Sequence, residues 1–257
     1  MRLVDSHSHF DVAAFDDDRG AVLARAKQAG VVAQVIPAIH AAGWARLAEV
    51  CDTDVGLYPA FGLHPVYLPE HRPGHLDALR QLLASGQPCV AVGEIGLDYF
   101  LESLPHDDQQ YYFDAQLALA REFGLPVIVH ARRAFDAVIA SMRRFPGLRG
   151  VVHSFSGSAE QAAQLHKLGF MLGIGGPVTY PRAQRLRSTV AALPLEQLLL
   201  ETDAPDQPDS QWRGQRNEPA RLIHVLDAIA ELRPESREDI AAATTANAER
   251  LFGIRVA

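Results

Sequence analysis

The chain has 257 residues, 48% of them hydrophobic, enough for one sizeable core and close to the roughly 250 residues of a single α/β barrel. Its net charge of −7, with His taken as neutral, excludes a surface that is basic all over, as a DNA-coating protein needs, but not a local basic site. No run approaches the ~20 apolar residues of a membrane span, and Met1-Arg2-Leu3-Val4-Asp5 carries no apolar signal region, so no membrane partner and a cytoplasmic location are expected. Cys51 and Cys89 are the only cysteines, form no C-x-x-C pair and read as reduced structural thiols. Only Lys27 and Lys167 are lysines, so 22 of the 24 basic residues are arginines, the better bidentate phosphate ligand. A monomer is favoured.

In chain order, short apolar runs alternate with stretches of helical period. The strand candidates are residues 3–9, 31–38, 56–63, 89–96, 126–130, 150–153, 170–175 and 197–203. Helical periods fall between them at 17–29, 42–51, 75–84, 107–123, 134–144, 159–168 and 182–193, and after the last strand at 219–231 and 235–252. Gly30, Gly124 and Gly169 stand where helix C-cap glycines would precede the next strand, and Ser158 is a candidate N-cap. Near-continuous Val/Ile/Leu strands are those of a parallel sheet covered by helices. Eight such units predict a (β/α)8 TIM barrel, one domain over 1–257. A doubly wound open sheet would show a Gly-rich phosphate turn after its first strand, and here that strand ends in H-x-H instead.

Barrel active sites lie at the C-terminal ends of the strands. In an extended strand, Asp5, His7 and His9 would line one face, with the two imidazoles side by side. The later strand ends carry His64, Glu94, Asp98, His130, His153, Glu201 and Asp203. Five of eleven histidines thus fall at strand ends; His40, His71, His75, His106, His166 and His224 read as solvated. The ligand count fits two divalent ions. His7, His9, Glu94 and Asp203 hold one, His130 and His153 the second, and Glu94 bridges them because two nearby cations need a shared anion. No lysine stands at a strand end to take that role. Mixed nitrogen and oxygen ligation suits Zn²⁺, Mn²⁺ or Mg²⁺.

The motifs D-S-H-S-H, G-L-H-P, V-G-E-I-G-L-D-Y, P-V-I-V-H-A-R, H-S-F-S-G, L-E-T-D-A-P and R-G-x-x-N-E-P resemble those of the TatD family of metal-dependent hydrolases, from residue 5 to about 219. The resemblance implies a TIM barrel with an amidohydrolase-like metal site and, most often, DNase activity. The family's metal positions match His7, His9, Glu94, His130, His153 and Asp203. One departure stands out. Relatives commonly carry P-x-L-x-P after the last motif, whereas Pro205-Asp206-Gln207-Pro208 is polar.

The expected reaction is phosphodiester hydrolysis by a dinuclear-metal-activated water, most simply 3′→5′ exonucleolysis of single-stranded or frayed DNA. Asp203 is the expected proton acceptor, with Glu94 in the catalytic group, and Glu201 would orient a ligand from behind. His64 would contact the scissile phosphate or protonate the leaving oxygen. Asp98, Arg132, Arg213 and Asn217 are grouped with the substrate contacts, the last two through R-G-x-x-N. Arg133, Arg182 and Arg216 belong to loops on the same face, and Tyr99 or Phe100 could stack on a base. The alternative readings are a D-aminoacyl-tRNA deacylase, another metal-dependent ester or amide hydrolase, or a non-catalytic metal-binding barrel.

Overall fold

The computed structural model describes residues 1–256. The apolar runs form strands β1 (Leu3–Asp5), β2 (Val31–Pro37), β3 (Leu57–Phe61), β4 (Ala91–Asp98), β5 (Val127–Arg132), β6 (Gly150–Val152), β7 (Phe170–Ile174) and β8 (Leu198–Leu200). The helical stretches form α1 (Arg19–Gln28), α2 (Trp44–Cys51), α3 (Gly74–Ala84), α4 (His106–Phe123), α5 (Phe135–Arg143), α6 (Ala159–Lys167), α7 (Gln184–Ala192), α8 (Leu222–Ala230) and α9 (Arg237–Phe252). Ser158 caps α6 in a reciprocal box with Gln161, and Gly124 ends α4 at φ +66°.

Neighbouring strands are parallel and follow chain order from β1 to β8. The ring comes round through backbone bonds rather than a ladder. Ser6 N–H donates to the Leu200 carbonyl and Asp203 N–H to the His7 carbonyl, each at 2.9 Å. The molecule is a single-domain (β/α)8 TIM barrel. No helix among the described residues is long and apolar enough to cross a membrane.

The barrel interior has two unlike ends. Where the strands start, Val4, Ala60, Ala91, Ile128, Val151 and Leu199 form one apolar layer, and Leu251, Phe252 and Ile254 at the end of α9 pack into it. The larger apolar cluster lies between the outer strand faces and the helices. One step further along the strands the interior turns polar.

Two sequence expectations change here. β1 stops at Asp5 and β8 at Leu200, short of 9 and 203. Beyond each strand the chain is held by Ser8 N–H to Val35 and His9 N–H to Ala204. Nor do Asp5, His7 and His9 share a function on one face. The buried Asp5 carboxylate accepts Thr202 N–H at 2.9 Å and Thr202 Oγ1–H at 2.6 Å, fastening the β1 and β8 extensions together.

Gly96 lies on β4 at φ +137°, where a Cβ would stand 2.0 Å from the His130 carbonyl oxygen. Gly96→Ala is expected to cost about 2–4 kcal/mol from backbone strain and overpacking, read as a lower urea midpoint. An unchanged midpoint would refute that account. Burial pushes the Cys51 and Cys89 thiols up, away from the reactive thiolate. The folded protein should therefore react slowly with a thiol reagent at about pH 8 and titrate both cysteines only on denaturation; rapid labelling of Cys51 in the folded state would contradict this.

Candidate metal centre

The strand ends deliver their side chains to one cavity of about 630 Å³, lined by His9, His64, Glu94, His130, His153 and Asp203 among others. A register shift between Val92 and Ile95 breaks the alternation of β4, so that Glu94 as well as Ala91 faces inward.

Glu94 is the centre of the cluster. Its Oε2 lies 3.2 Å from His7 Nε2 and 3.4 Å from His9 Nε2. Its Oε1 lies 2.7 Å from His153 Nε2, 2.9 Å from His64 Nε2 and 3.2 Å from His130 Nδ1. Asp203 Oδ1 stands 3.5 Å from His7 Nε2 and 3.6 Å from His9 Nε2, and those two nitrogens are 3.3 Å apart. Donor groups close enough to share an ion are His7/His9/Glu94, His7/His153/Asp203 and His64/Glu94/His130. His7, His9 and Asp203 gather near Oε2, while His153, stacked on His7 at 3.9 Å, borders both halves.

These residues fit divalent cations. Both Glu94 oxygens are fully buried, yet neither accepts an aligned hydrogen bond despite five imidazole nitrogens nearby. A buried carboxylate left so is costly unless a cation meets it. The spacing agrees: metal–nitrogen bonds of ~2.0–2.1 Å at a tetrahedral angle put two donors about 3.3 Å apart.

The outer ring nitrogens separate two kinds of histidine. His9 Nδ1 points to the Pro37 carbonyl at 3.3 Å and His130 Nε2 to Asp98 Oδ2 at 3.0 Å. Each donates outward, which turns a lone pair toward Glu94. His64 is reversed. Its Nδ1 accepts Val66 N–H at 3.0 Å, so the neutral ring carries its proton on Nε2, facing the cavity. In this tautomer His64 presents an N–H donor to the cavity.

The electrostatics follow from burial and crowding. Burial alone would raise the Glu94 carboxyl, but His153, His64 and His7 hold it well below the usual range. Burial opposes charge on His153, yet Glu94 outweighs it and raises the ring to about 10. Burial and the neighbouring His153 drive His7 far down, so a shared proton settles on His153. Burial lowers His64 to about 4, against the pull of Glu94, and leaves it neutral. Burial raises Asp203, Glu201 to about 8 and Asp5 to about 7.

Several sequence assignments move. Asp98 is buried, with Oδ2 on His130 and Oδ1 accepting Phe100 N–H and Leu101 N–H, so it orients a ligand and is not open to substrate. Asn217 is buried too; its amide donates to the Thr202 and Asp206 carbonyls and staples the loop after β8. Arg213 is exposed and does not line the cavity, and Arg216 is committed to both oxygens of Asp18. Arg132 does line the cavity. Glu201 stands 3.9 Å from His153 Nδ1, beyond hydrogen-bond reach, in space that a Cβ on Gly173 would fill. His71 is buried, its Nε2 donating to the His64 carbonyl at 2.9 Å; His40, His75 and His224 are half-buried, and only His106 and His166 are exposed.

Sequence reasoning missed Gln207. Its amide nitrogen donates to Asp203 Oδ2 and its Oε1 accepts Ser154 Oγ–H at 2.8 Å. Asp203, Gln207 and Ser154 all have left-handed backbone, at φ +56°, +47° and +47°. The polar loop was a visible signal, but its partners were not.

The family described as TatD related DNase matches residues 4–253. The uncharacterized metal-dependent hydrolase YjjV of Escherichia coli K12 is 44% identical over 256 residues, 98% of each chain. Its crystal structure superposes with a TM-score of 0.96 over 99% of both chains. A 3′-5′ ssDNA/RNA exonuclease TatD from Pantoea ananatis is 35% identical over 248 residues, 93% of this chain and 95% of that one. Full-length kinship and the histidine–carboxylate cluster at the strand ends agree, and the chain belongs to the TatD family of metal-dependent hydrolases.

Proposed function

We propose that the protein is a nuclease that removes nucleotides from the 3′ end of single-stranded nucleic acid, using two divalent cations on either side of Glu94. The observation that carries this reading is the Glu94 carboxylate, whose two oxygens each face a separate group of imidazole nitrogens. His7, His9 and Asp203 would hold one ion with Oε2, and His130 and His153 the other with Oε1; Mg²⁺, Mn²⁺ and Zn²⁺ all suit these donors. Bound there, the cations supply Lewis-acid charge for the phosphoryl oxygens and lower the pKa of water.

The side chains do the rest. Asp203, its basicity raised by burial, takes a proton from the attacking water while Gln207 fixes its outer oxygen. His64, neutral and proton-bearing on Nε2, donates a hydrogen bond to the phosphate or to the departing oxygen. Asp98 and the Pro37 carbonyl keep His130 and His9 in the tautomers that ligation requires. The exonuclease names of the Pantoea relatives support the substrate class. Two free thiols accord with a cytoplasmic setting.

One panel tests the reading: protein with Mg²⁺, Mn²⁺ or Zn²⁺ against 3′- or 5′-labelled single-stranded DNA, RNA and D-aminoacyl-tRNA. A ladder growing from the 3′ end is expected. Intact nucleic acid beside a cleaved aminoacyl ester would overturn it in favour of the deacylase. Chelation should abolish turnover and lower the melting temperature, since an ion at about 100 times its Kd adds about 2.7 kcal/mol to stability. The His7→Ala/His9→Ala double variant should lose at least about 100-fold in kcat, and retained activity would remove the metal centre from the mechanism. His64→Gln should lose about 100-fold in kcat with metal content unchanged; turnover near wild type would exclude His64 from the reaction.

A further inference from the structure

Several arginines away from the cavity are held by acids: Arg144 pairs with Asp114, Arg216 with Asp18 and Arg233 with Glu235. The rim beyond β4 and β5 differs. There the Arg132 guanidinium lies 3.7 Å from the centre of the Phe100 ring and the Arg133 guanidinium 4.7 Å from it. Among the described residues neither guanidinium has a carboxylate or carbonyl partner. Asp98, directly across the ladder from Arg132, has both oxygens committed to His130 and to the backbone of Phe100 and Leu101. Phe100 is 41% exposed, so its ring and the guanidinia on it are open to a ligand. Aromatic stacking holds these guanidinia in place while leaving their N–H forks open.

The arrangement is tied to the metal centre. Arg132 follows His130 by two residues on β5, so its Cα lies about 7 Å further out along the strand. Tyr99 N–H donates to the Arg132 carbonyl at 2.9 Å, and Asp98 grips both His130 and the Phe100 turn. Arg133 has φ +53°, a left-handed turn that a side chain rarely adopts without surrounding support. One carboxylate thus ties the donor cluster to an aromatic–arginine platform on the adjoining rim.

We propose that Phe100, Arg132 and Arg133 form a second subsite, which grips the nucleotide next to the scissile phosphate and directs a single strand out over the β4–β5 rim. This rests on the nuclease reading and sharpens it: the preferred substrate is a polymer with at least one further phosphate and base, not an isolated phosphodiester. The guanidinia take the adjacent phosphate, and the stacked planes carry a base without regard to its identity.

The test compares a cleavage-resistant, fluorescent oligothymidylate with the small diester bis(p-nitrophenyl) phosphate, on metal-loaded protein. Phe100→Ala and Arg132→Ala should each weaken oligonucleotide binding about tenfold, with Phe100→Trp retaining it. Each arginine removed should flatten the slope of log affinity against log salt by about 0.7. Arg132→Lys should keep that slope but lose part of the affinity, because an ammonium does not stack as a plane. Turnover of the small diester should fall much less than oligonucleotide binding in Phe100→Ala and Arg132→Ala, because a small diester does not span the subsite. Arg149→Ala removes an equal charge at the opposite end of the barrel and should leave binding unchanged.

Undiminished oligonucleotide binding in Phe100→Ala and Arg132→Ala overturns the subsite. So does an equal loss in Arg149→Ala, or an equal loss of small-diester turnover, which would place the effect in the metal centre. A wild-type protein that cleaves neither the small diester nor ordinary labelled single-stranded DNA defeats the nuclease reading alone. The subsite still stands if that protein binds the oligonucleotide and the variants do not, and it falls if wild type does not bind.

Discussion

The arrangement of the barrel mouth depends on one buried carboxylate. Glu94 is fully buried, has no aligned donor, and faces five imidazole nitrogens within 3.4 Å. A lone charge in such a place costs several kcal/mol, so the site makes sense only as a scaffold for positive charge. The histidines cannot all supply that charge themselves. Imidazolium rings packed this closely repel one another, which is why a proton on His153 forces His7 to stay neutral. Divalent cations meet the demand with rings that remain neutral. The outward bonds of His9 and His130 prepare that state by fixing which nitrogen keeps its proton.

The same interior stores the stability that such a site consumes. Along the strands that supply the cluster the apolar layer closed by the end of α9 comes first, and the polar side chains follow two to four residues later. The concessions made to the site are local and backbone-sized. Gly173 leaves the volume that the Glu201 carboxylate fills, and Gly96 lets β4 and β5 approach beside His130. Left-handed residues at Ser154, Asp203 and Gln207 gather where the loops after β6 and β8 meet, and the Gln207 amide joins those two loops to each other. Strain at those positions is held by the packed barrel beneath them rather than by the loops themselves.

What the sequence revealed and what it hid divide along physical lines. Strand–helix alternation is a local pattern, so the eight strands, their order and the helices were legible from periodicity alone. The ligand types were legible because a barrel collects strand ends, so His7, His9, Glu94, His130, His153 and Asp203 could be expected at one mouth although as many as 196 positions separate them. Illegible were the relations between loops. Nothing near Asn217 in the chain announces that its amide will be spent on Thr202 and Asp206. Arg216 looked available for phosphate until α1 placed Asp18 against it, and Asp98 looked like a substrate contact until His130 closed on it. His71, a loop histidine by pattern, is buried because it braces the turn that presents His64. The ends of β1 and β8 were also out of reach, since Asp5 and Thr202 replace ladder bonds with a side-chain clasp that periodicity does not register.

Net charge misleads about this protein for a related reason. Seven surplus acids argue against nucleic acid if charge is averaged over the surface. The average, however, counts arginines already neutralised by neighbouring acids together with arginines that are not. Arg25, Arg144, Arg216 and Arg237 are held by carboxylates and add little to the field that an approaching polyanion meets. Arg132 and Arg133 rest on an aromatic ring, which fixes the guanidinium without cancelling it. An acidic chain can therefore still present uncancelled positive charge at one rim. That rim adjoins the cavity whose donor set calls for cations, so two sources of positive potential act on the same approaching strand, and the acidic remainder of the surface discourages non-specific binding elsewhere.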